Sequence, residues 1–270
     1  MPTPPPTGPL VTRDTLTAQL RDLGVRPGES LLVHSSLSSL GWVNGGPVTV
    51  VRALLDALGP DGTLVVPTQS GDLSDPALWQ APPVPEEWWE TIRATMPAYD
   101  PLTTPSRGVG VIPEAVRSWP GALRSAHPQT SFAAVGARAA EIVTGHATDC
   151  RLGEHSPLAK LERLGARVLL LGAGYDSCTG FHLAEYRIPS PRVVVGRPGP
   201  RGWETVTEVS ITSERFDELG YDFERDRPVV RGRVGAAGAR LFPLADAVAY
   251  AERWLSVHRS REEECRHPMV

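Results

Sequence analysis

The chain has 270 residues and is 41% hydrophobic, which is enough for one large domain or two small ones. Its net charge of −4 argues against nucleic acid as a partner, and the absence of an apolar run of 18 or more residues argues against a membrane span. The three cysteines lack metal-ligand spacing and no His-x-His or His-Glu-x-x-His pattern occurs, so we expect no metal site. Without the features of a secretion signal, the sequence predicts a cytoplasmic protein in a reducing compartment.

Helices and short apolar strands alternate along most of the chain. Helices are predicted over residues 12–23, 47–58, 111–118, 137–146, 157–164 and 244–258, and strands over residues 31–33, 63–66, 168–171, 192–195 and 204–211. This alternation predicts an α/β fold, a layered α/β/α sheet protein with a smaller C-terminal part that contains β-strands. We expect a single domain over residues 11–258, between a disordered proline-rich tail (1–10) and a loose tail (259–270).

Residues 69–100 differ in character from the rest of the chain. The segment is rich in proline and tryptophan and shows little periodicity. It contains six acidic residues and one basic residue, Arg93. A segment of this length inside a compact domain is usually functional or disordered, and its tryptophans argue against disorder. One interpretation is a solvated flap packed by its tryptophans. The other is a lid whose acids bind a cationic ligand.

The stretch from Val168 to Arg187 is the strongest candidate for an active site. The apolar run 168–171 predicts a strand buried on both faces, and the glycines that follow it allow a sharp turn. A helix is predicted to begin near Thr179, and on it His182 and Glu185 share a face because they are three residues apart. Polar groups at the end of a buried strand are typical of α/β active sites. The alternative is a surface pair without a chemical role.

A second polar loop, His34-Ser35-Ser36, follows the predicted strand 31–33 and precedes a helix. Backbone amides of a serine- and glycine-rich loop at a helix N-terminus suit an anionic ligand such as the phosphates of a cofactor. A hydrogen-bonded turn would have the same composition. The sequence contains neither a Walker loop nor Gly-x-Gly-x-x-Gly, and without Gly-x-Ser-x-Gly an ordinary serine hydrolase is not expected.

Five spaced motifs, in order along residues 12–256, resemble the aminoglycoside 3-N-acetyltransferase family, whose fold differs from that of the common GNAT acetyltransferases. The motifs are His34-Ser-Ser-Leu-Ser-Ser-Leu-Gly, Gly62-Thr-Leu-Val-Val-Pro-Thr, Arg124-Ser-x-His-Pro-x-x-Ser131, Glu154-x-Ser-Pro-Leu-Ala-Lys160 and Thr179-x-x-His-Leu-Ala-Glu-Tyr186. The resemblance implies transfer of an acetyl group from acetyl-CoA to the 3-amine of the 2-deoxystreptamine ring, which confers antibiotic resistance, by direct transfer in a ternary complex.

The resemblance and the position in the chain together suggest roles for individual residues. His182 is the expected general base, with His127 as the next candidate, and either Glu185 or Asp176 is its carboxylate partner. Thr179 is the candidate donor to the thioester oxygen as it becomes negative. Coenzyme A is expected to bind residues His34, Ser35, Ser36, Leu37, Ser38, Ser39, Ser106, Arg107, Gly108, Val109 and Gly110. A polyamine substrate is expected to bind the acids Asp72, Glu87, Glu185, Asp217 and Asp222.

Two other functions remain open at this point. The chain could be an acetyl-CoA-dependent N-acetyltransferase for another amine in a biosynthetic pathway, or a non-catalytic sugar-binding relative. The presence of both His182 and Glu185 argues against the non-catalytic alternative. The expected partners are an aminoglycoside or other small polyamine and coenzyme A, and the expected assembly is a monomer or homodimer.

Overall fold

A computed structural model of the protein describes residues 8–259, so most of both predicted tails (1–10 and 259–270) lies outside the described residues. The helices are α1 (Arg13–Asp22), α2 (Gly46–Leu58), α3 (Trp89–Thr95), α4 (Val111–Arg117), α5 (Ala139–Val143), α6 (Pro157–Arg163), α7 (His182–Glu185), α8 (Phe216–Asp226) and α9 (Leu244–His258). The strands are β1 (Ser30–Ser35), β2 (Thr63–Pro67), β3 (Leu123–Arg124), β4 (Phe132–Gly136), β5 (Arg167–Leu171), β6 (Arg192–Gly199), β7 (Gly202–Val209), β8 (Val230–Val234) and β9 (Ala237–Pro243). None of the described helices combines the length and apolar character needed to cross a membrane.

The main sheet of the described residues has seven strands in the order β3-β4-β2-β1-β5-β9-β8. Its centre is parallel, because β1 pairs in parallel with both β2 and β5, while β4, β9, β3 and β8 pair antiparallel with their neighbours. Successive side chains of a strand point to opposite faces. Accordingly Leu32 and Leu170 pack in one core with α5, α6, α8 and α9, and Leu31 and Leu171 pack in the other with α1, α2 and α4. The predicted α/β/α layering is confirmed.

The helix starts and strand ends follow local sequence signals. Helix α1 begins after Thr12, whose hydroxyl accepts a hydrogen bond from the Thr15 amide. The Thr15 hydroxyl in turn accepts a hydrogen bond from the Thr12 amide. Strand β5 ends at Leu171, and the next residue, Gly172, has a φ of +68°. A Cβ at Gly172 would lie 2.6 Å from the Cβ of Ser39. Because β1, β2 and β5 run parallel, their carboxyl ends lie at one edge of the sheet.

Several segments differ from the sequence-based expectation. The predicted helix 137–146 is limited to α5, and the segment 69–100 contains α3. The acid-rich residues after 215 form α8, and the apolar run before 243 forms β9. The expected hairpin of residues 192–211 is present as β6 and β7, which form a separate two-stranded sheet. His146, which the sequence suggested was on the surface, is buried beside His127, and its Nδ1 lies 2.9 Å from the Ser125 hydroxyl.

Candidate active site

A cavity of about 1030 Å³ lies at the edge of the sheet where the parallel strands end. We call it the strand-end cavity. Its walls are residues 34–38 at the end of β1 and just beyond it, residues 108–111 at the start of α4, and residues 172–174 after β5, together with Thr179 and His182. The two loops that the sequence singled out as chemical candidates therefore face each other across one cavity. This is where open parallel sheets usually bind ligands.

A second cavity of about 880 Å³, the flap cavity, lies beneath the segment 69–100. The flap contributes Asp72, Asp75 and Trp79, and the opposite wall consists of residues 194–196 of β6 and residues 210–215. Trp79 is held by a hydrogen bond of 3.0 Å from its indole nitrogen to the Ser74 hydroxyl. Trp79 therefore helps to fix this wall of the cavity.

A buried ionic network adjoins the flap cavity. The Glu208 carboxylate is fully buried and accepts a hydrogen bond of 2.8 Å from Arg151 Nε and one of 3.3 Å from Arg197. Arg151 also lines the cavity. Burial alone would raise the pKa of Glu208, but His127, Arg151 and Arg197 lower that pKa below its ordinary value. The charge of Glu208 is thus compensated inside the protein.

The two cavities meet at His182, which lines both of them together with Gln69 and Ser213. The His182 Nδ1 atom lies 2.5 Å from Oε2 of Glu185, whose side chain is fully buried. A carboxylate at Nδ1 orients the ring and leaves Nε2 as the nitrogen that can exchange a proton with a ligand. The other Glu185 oxygen accepts hydrogen bonds from the Thr212 amide at 3.1 Å and from Arg259.

His34 and Thr179 lie side by side on the wall of the strand-end cavity, with 3.4 Å between the His34 Nε2 and Thr179 hydroxyl oxygen atoms. Burial, and then the nearby His182, lower the pKa of His34 to about 3, so this ring is neutral near pH 7. Burial also raises the pKa of the Cys178 thiol to about 12. Cys178 therefore remains a thiol and is a poor nucleophile.

Most, but not all, of the residues predicted to bind coenzyme A line the strand-end cavity. His34, Ser35, Ser36, Leu37, Ser38, Gly108, Val109 and Gly110 line the strand-end cavity. Ser39 bonds instead to the Ser36 hydroxyl and the Gly172 carbonyl. Ser106 bonds to the Glu114 carboxylate, and Arg107 lines the flap cavity, where it pairs with Asp72 at 3.1 Å.

Of the acids predicted to bind the polyamine substrate, only Asp72 lines the flap cavity. Asp72 lines the flap cavity, whereas Glu87 lies exposed in the flap and lines neither of the two cavities. Asp217 accepts the Asp176 amide at 3.2 Å, and Asp222 accepts hydrogen bonds from Arg225 and from the Trp254 indole. Asp176 lines the strand-end cavity, but Glu185 is the carboxylate bonded to His182. Glu185 itself is enclosed by His182, Thr212 and Arg259 and lines neither cavity.

Sequence reasoning did not identify Gln69, Ser213 or Arg259. Gln69 and Ser213 border His182 in both cavities, and Arg259 reaches Glu185 from 74 positions away in the chain. Neither hydrophobic periodicity nor motif spacing contains a signal for such a distant pair. Serine and glutamine are also common in loops, so Gln69 and Ser213 do not stand out in the sequence.

Known proteins that are similar to this chain come from one family. The sequence profile described as aminoglycoside 3-N-acetyltransferase matches residues 32–256. A Bacillus subtilis protein, the SPbeta prophage-derived aminoglycoside N(3')-acetyltransferase-like protein YokD, is 49% identical over 90% of this chain and 92% of its own. The crystal structure of YokD superposes with a TM-score of 0.91 over 97% of both chains.

Two ligand-bound structures are also similar to the chain. AAC-IIIb, in a binary complex with CoASH, is 34% identical with a TM-score of 0.78 and covers 92% of this chain and 97% of its own. AAC-VIa bound to sisomicin is 33% identical with a TM-score of 0.82 and covers 93% of this chain and 100% of its own. Since the profile and these relatives extend over most of the chain, the chain belongs to the aminoglycoside 3-N-acetyltransferase family and is an acyltransferase.

Proposed function

We propose that the protein transfers an acetyl group from acetyl-CoA to the 3-amine of the 2-deoxystreptamine ring of aminoglycosides, with His182 as general base in a ternary complex. The observation that carries this proposal is the meeting of two cavities at the His182–Glu185 pair. A separate cavity for each substrate allows both to be bound at once, so that the amine can attack the thioester without a covalent enzyme intermediate.

The strand-end cavity fits acetyl-CoA as the donor. Two glycine-containing wall segments, residues 108–110 and 172–174, allow a long ligand to approach the backbone closely. The Ser35 hydroxyl oxygen is buried and has no hydrogen-bond partner among residues 8–259, and Ser36 and Ser38 add further hydroxyls. Among the described residues that line this cavity there is no lysine or arginine, so amides and hydroxyls are the expected phosphate ligands. The CoASH complex of AAC-IIIb supports this choice of ligand.

The protonation chemistry follows from the side chains at the junction. An amine that is mostly protonated near pH 7 must lose a proton before it can attack. His182 Nε2 accepts that proton, while Glu185 at Nδ1 stabilises the imidazolium that forms. When the thioester C–S bond breaks, the imidazolium returns the proton to the sulfur and coenzyme A leaves as the thiol. The neutral His34 and the Thr179 hydroxyl lie on the donor side, where Thr179 donates a hydrogen bond to the thioester oxygen as it becomes negative.

The proposal is tested by measuring coenzyme A release from acetyl-CoA with a panel of amines, and by identifying the acetylated position in the product. We expect turnover with aminoglycosides that carry a free 3-amine, and reduced sensitivity to them in cells that express the protein. Coenzyme A release that does not depend on any added amine would reject the proposal.

A charge added to the strand-end cavity should weaken donor binding. Ser38 is exposed and lines the cavity, so Ser38→Glu places a carboxylate beside the coenzyme A phosphates. We expect KM for acetyl-CoA to rise about tenfold, which corresponds to about 1.4 kcal/mol, and KM for the aminoglycoside to change less. Ser256→Glu, an exposed serine in α9 that lines neither cavity, is the control. Equal changes in the two variants would reject this donor site.

Removal of a carboxylate from the flap cavity should weaken acceptor binding. Asp72→Asn removes an acid that lines the cavity and leaves its partner Arg107 unneutralised. Because the pair is exposed, we expect a rise in aminoglycoside KM of only roughly twofold to fivefold, which shrinks as salt is added. Glu87→Gln removes the same charge from the same flap without touching the cavity. If both variants keep the wild-type KM, the flap acids do not bind the substrate.

The charge balance of the flap cavity favours a second candidate, N-acetylation of an amine other than an aminoglycoside. Its acids among the described residues are Asp72, Asp75 and Glu214, and its arginines are Arg107, Arg151, Arg215 and Arg259. Asp72 pairs with Arg107 and Asp75 with Arg93 at 2.6 Å. Because arginines neutralise these acids, the cavity wall also suits an amine with only one or two positive charges. In the amine panel, a higher kcat/KM for such an amine than for any aminoglycoside would favour this function.

A further inference from the structure

We infer that Arg259 is a positioning residue for the acid–base pair, an inference that rests on the proposed role of His182. The Arg259 guanidinium donates a hydrogen bond to Oε1 of Glu185, and the same carboxylate binds His182 through Oε2. Only 7% of the Arg259 side chain is exposed. Arg259 lies beyond residues 32–256, the part of the chain that the family profile matches.

The buried position of Glu185 explains why an arginine is needed there. A carboxylate with no exposed surface is stable as an anion only when charges and hydrogen bonds replace the lost water. Arg259 and the Thr212 amide occupy Oε1, and His182 occupies Oε2. With Oε1 held, the carboxylate cannot rotate, so Oε2 remains directed at the imidazole.

Arg259 also connects Glu185 to the wall that both cavities share. Its Nη2 atom donates hydrogen bonds of 3.0 Å to the Thr212 carbonyl and 3.1 Å to the Glu214 carbonyl, on either side of Ser213. Its guanidinium carbon lies 5.8 Å from the centre of the Phe216 ring, which packs 4.8 Å from the His182 ring. One guanidinium therefore fixes the carboxylate, the adjacent backbone and the ring against which the imidazole packs.

Arg259→Ala tests this inference in the full-length protein. We expect kcat to fall roughly tenfold to a hundredfold, the scale of loss when a catalytic group is slightly misplaced. KM for acetyl-CoA should not change, because Arg259 does not line the strand-end cavity. Added methylguanidine at millimolar concentration should restore part of kcat in this variant and leave the wild type unaffected, an effect that lost stability alone would not produce.

The matched control is Arg187→Ala. Arg187, two residues after α7, pairs with Glu252 of α9 and also with Glu154 and Glu162, but it has no bond to Glu185 among the described contacts. We expect this variant to lose stability and to keep its kcat. If the two alanine variants lose kcat equally, and methylguanidine rescues neither, Arg259 has only a structural role.

A double-mutant cycle with Glu185→Gln separates this inference from the proposed function. If Arg259 acts through Glu185, its removal should cost little further kcat once the Glu185 charge is gone, so the two losses are not additive. Additive losses, or a wild-type kcat in Arg259→Ala, would overturn this inference. The proposed function would still stand if His182→Ala shows its expected large loss of kcat. If His182→Ala leaves transfer intact, the proposed function of the pair fails instead.

Discussion

Replacing His182 with alanine should lower kcat for acetyl transfer by roughly two to four powers of ten, the usual contribution of a general base. The substitution removes the imidazole at the junction of the two cavities and leaves the other walls of both in place. Both substrates should therefore still bind, and coenzyme A release should be slow even at saturation. Calorimetric titration with each ligand, beside steady-state assays of coenzyme A release, measures the two properties separately.

The control for this substitution is His155→Ala, because His155 is exposed and lines neither cavity. Near-normal turnover in His182→Ala would show that the base is a different group. His127 is then a poor candidate, because it lines neither cavity and so cannot reach a bound substrate. His34, which lines the strand-end cavity beside Thr179, would be the next histidine to replace.

Glu208→Ala should lower the free energy of unfolding by about 3–5 kcal/mol, the usual cost of removing one partner from a buried ion pair. The substitution leaves the Arg151 and Arg197 guanidinium groups, both almost completely buried, without their shared carboxylate. Urea unfolding followed by circular dichroism measures the change. The control is Glu204→Ala, in the same strand, whose carboxylate is 40% exposed and also pairs with Arg197. Equal losses in the two variants would contradict this account.

The same network predicts how stability depends on pH. The folded-state pKa of Glu208 is depressed, so folding is favoured by its ionisation at all pH values above its pKa in the unfolded chain. As the pH falls through the depressed folded-state pKa, this contribution is lost. The difference in unfolding free energy between wild type and Glu208→Gln should therefore be largest near neutral pH and should shrink in acid. A difference that does not change with pH would argue that the Glu208 charge contributes nothing.

The features predictable from the sequence are those that local patterns encode. The apolar run 168–171 identified strand β5, and the three-residue spacing of His182 and Glu185 placed both on one face, where they are bonded. The serine loop after β1 was expected near a ligand, and its first residues line the strand-end cavity. In each case, strand polarity or helical periodicity determines where the side chains lie.

The rest of the site depends on contacts between distant segments. The sequence indicated an excess of acids in the flap, but it could not show that Asp75 pairs with Arg93 or that Asp72 pairs with Arg107. Likewise, the choice between Glu185 and Asp176 depended on which carboxylate Thr212 and Arg259 enclose. Such partners are set by tertiary packing, and neither periodicity nor composition reports them.

The shared boundary of the two cavities has a consequence for inhibition. Gln69, His182 and Ser213 line both cavities, so a molecule that passes His182 can occupy both spaces at once. If a coenzyme A-like group and an amine-bearing group are joined by a short linker, binding of the first holds the second at high effective concentration. Such a bisubstrate compound would compete with both substrates, and a substitution that alters only one cavity would weaken only one half of its binding.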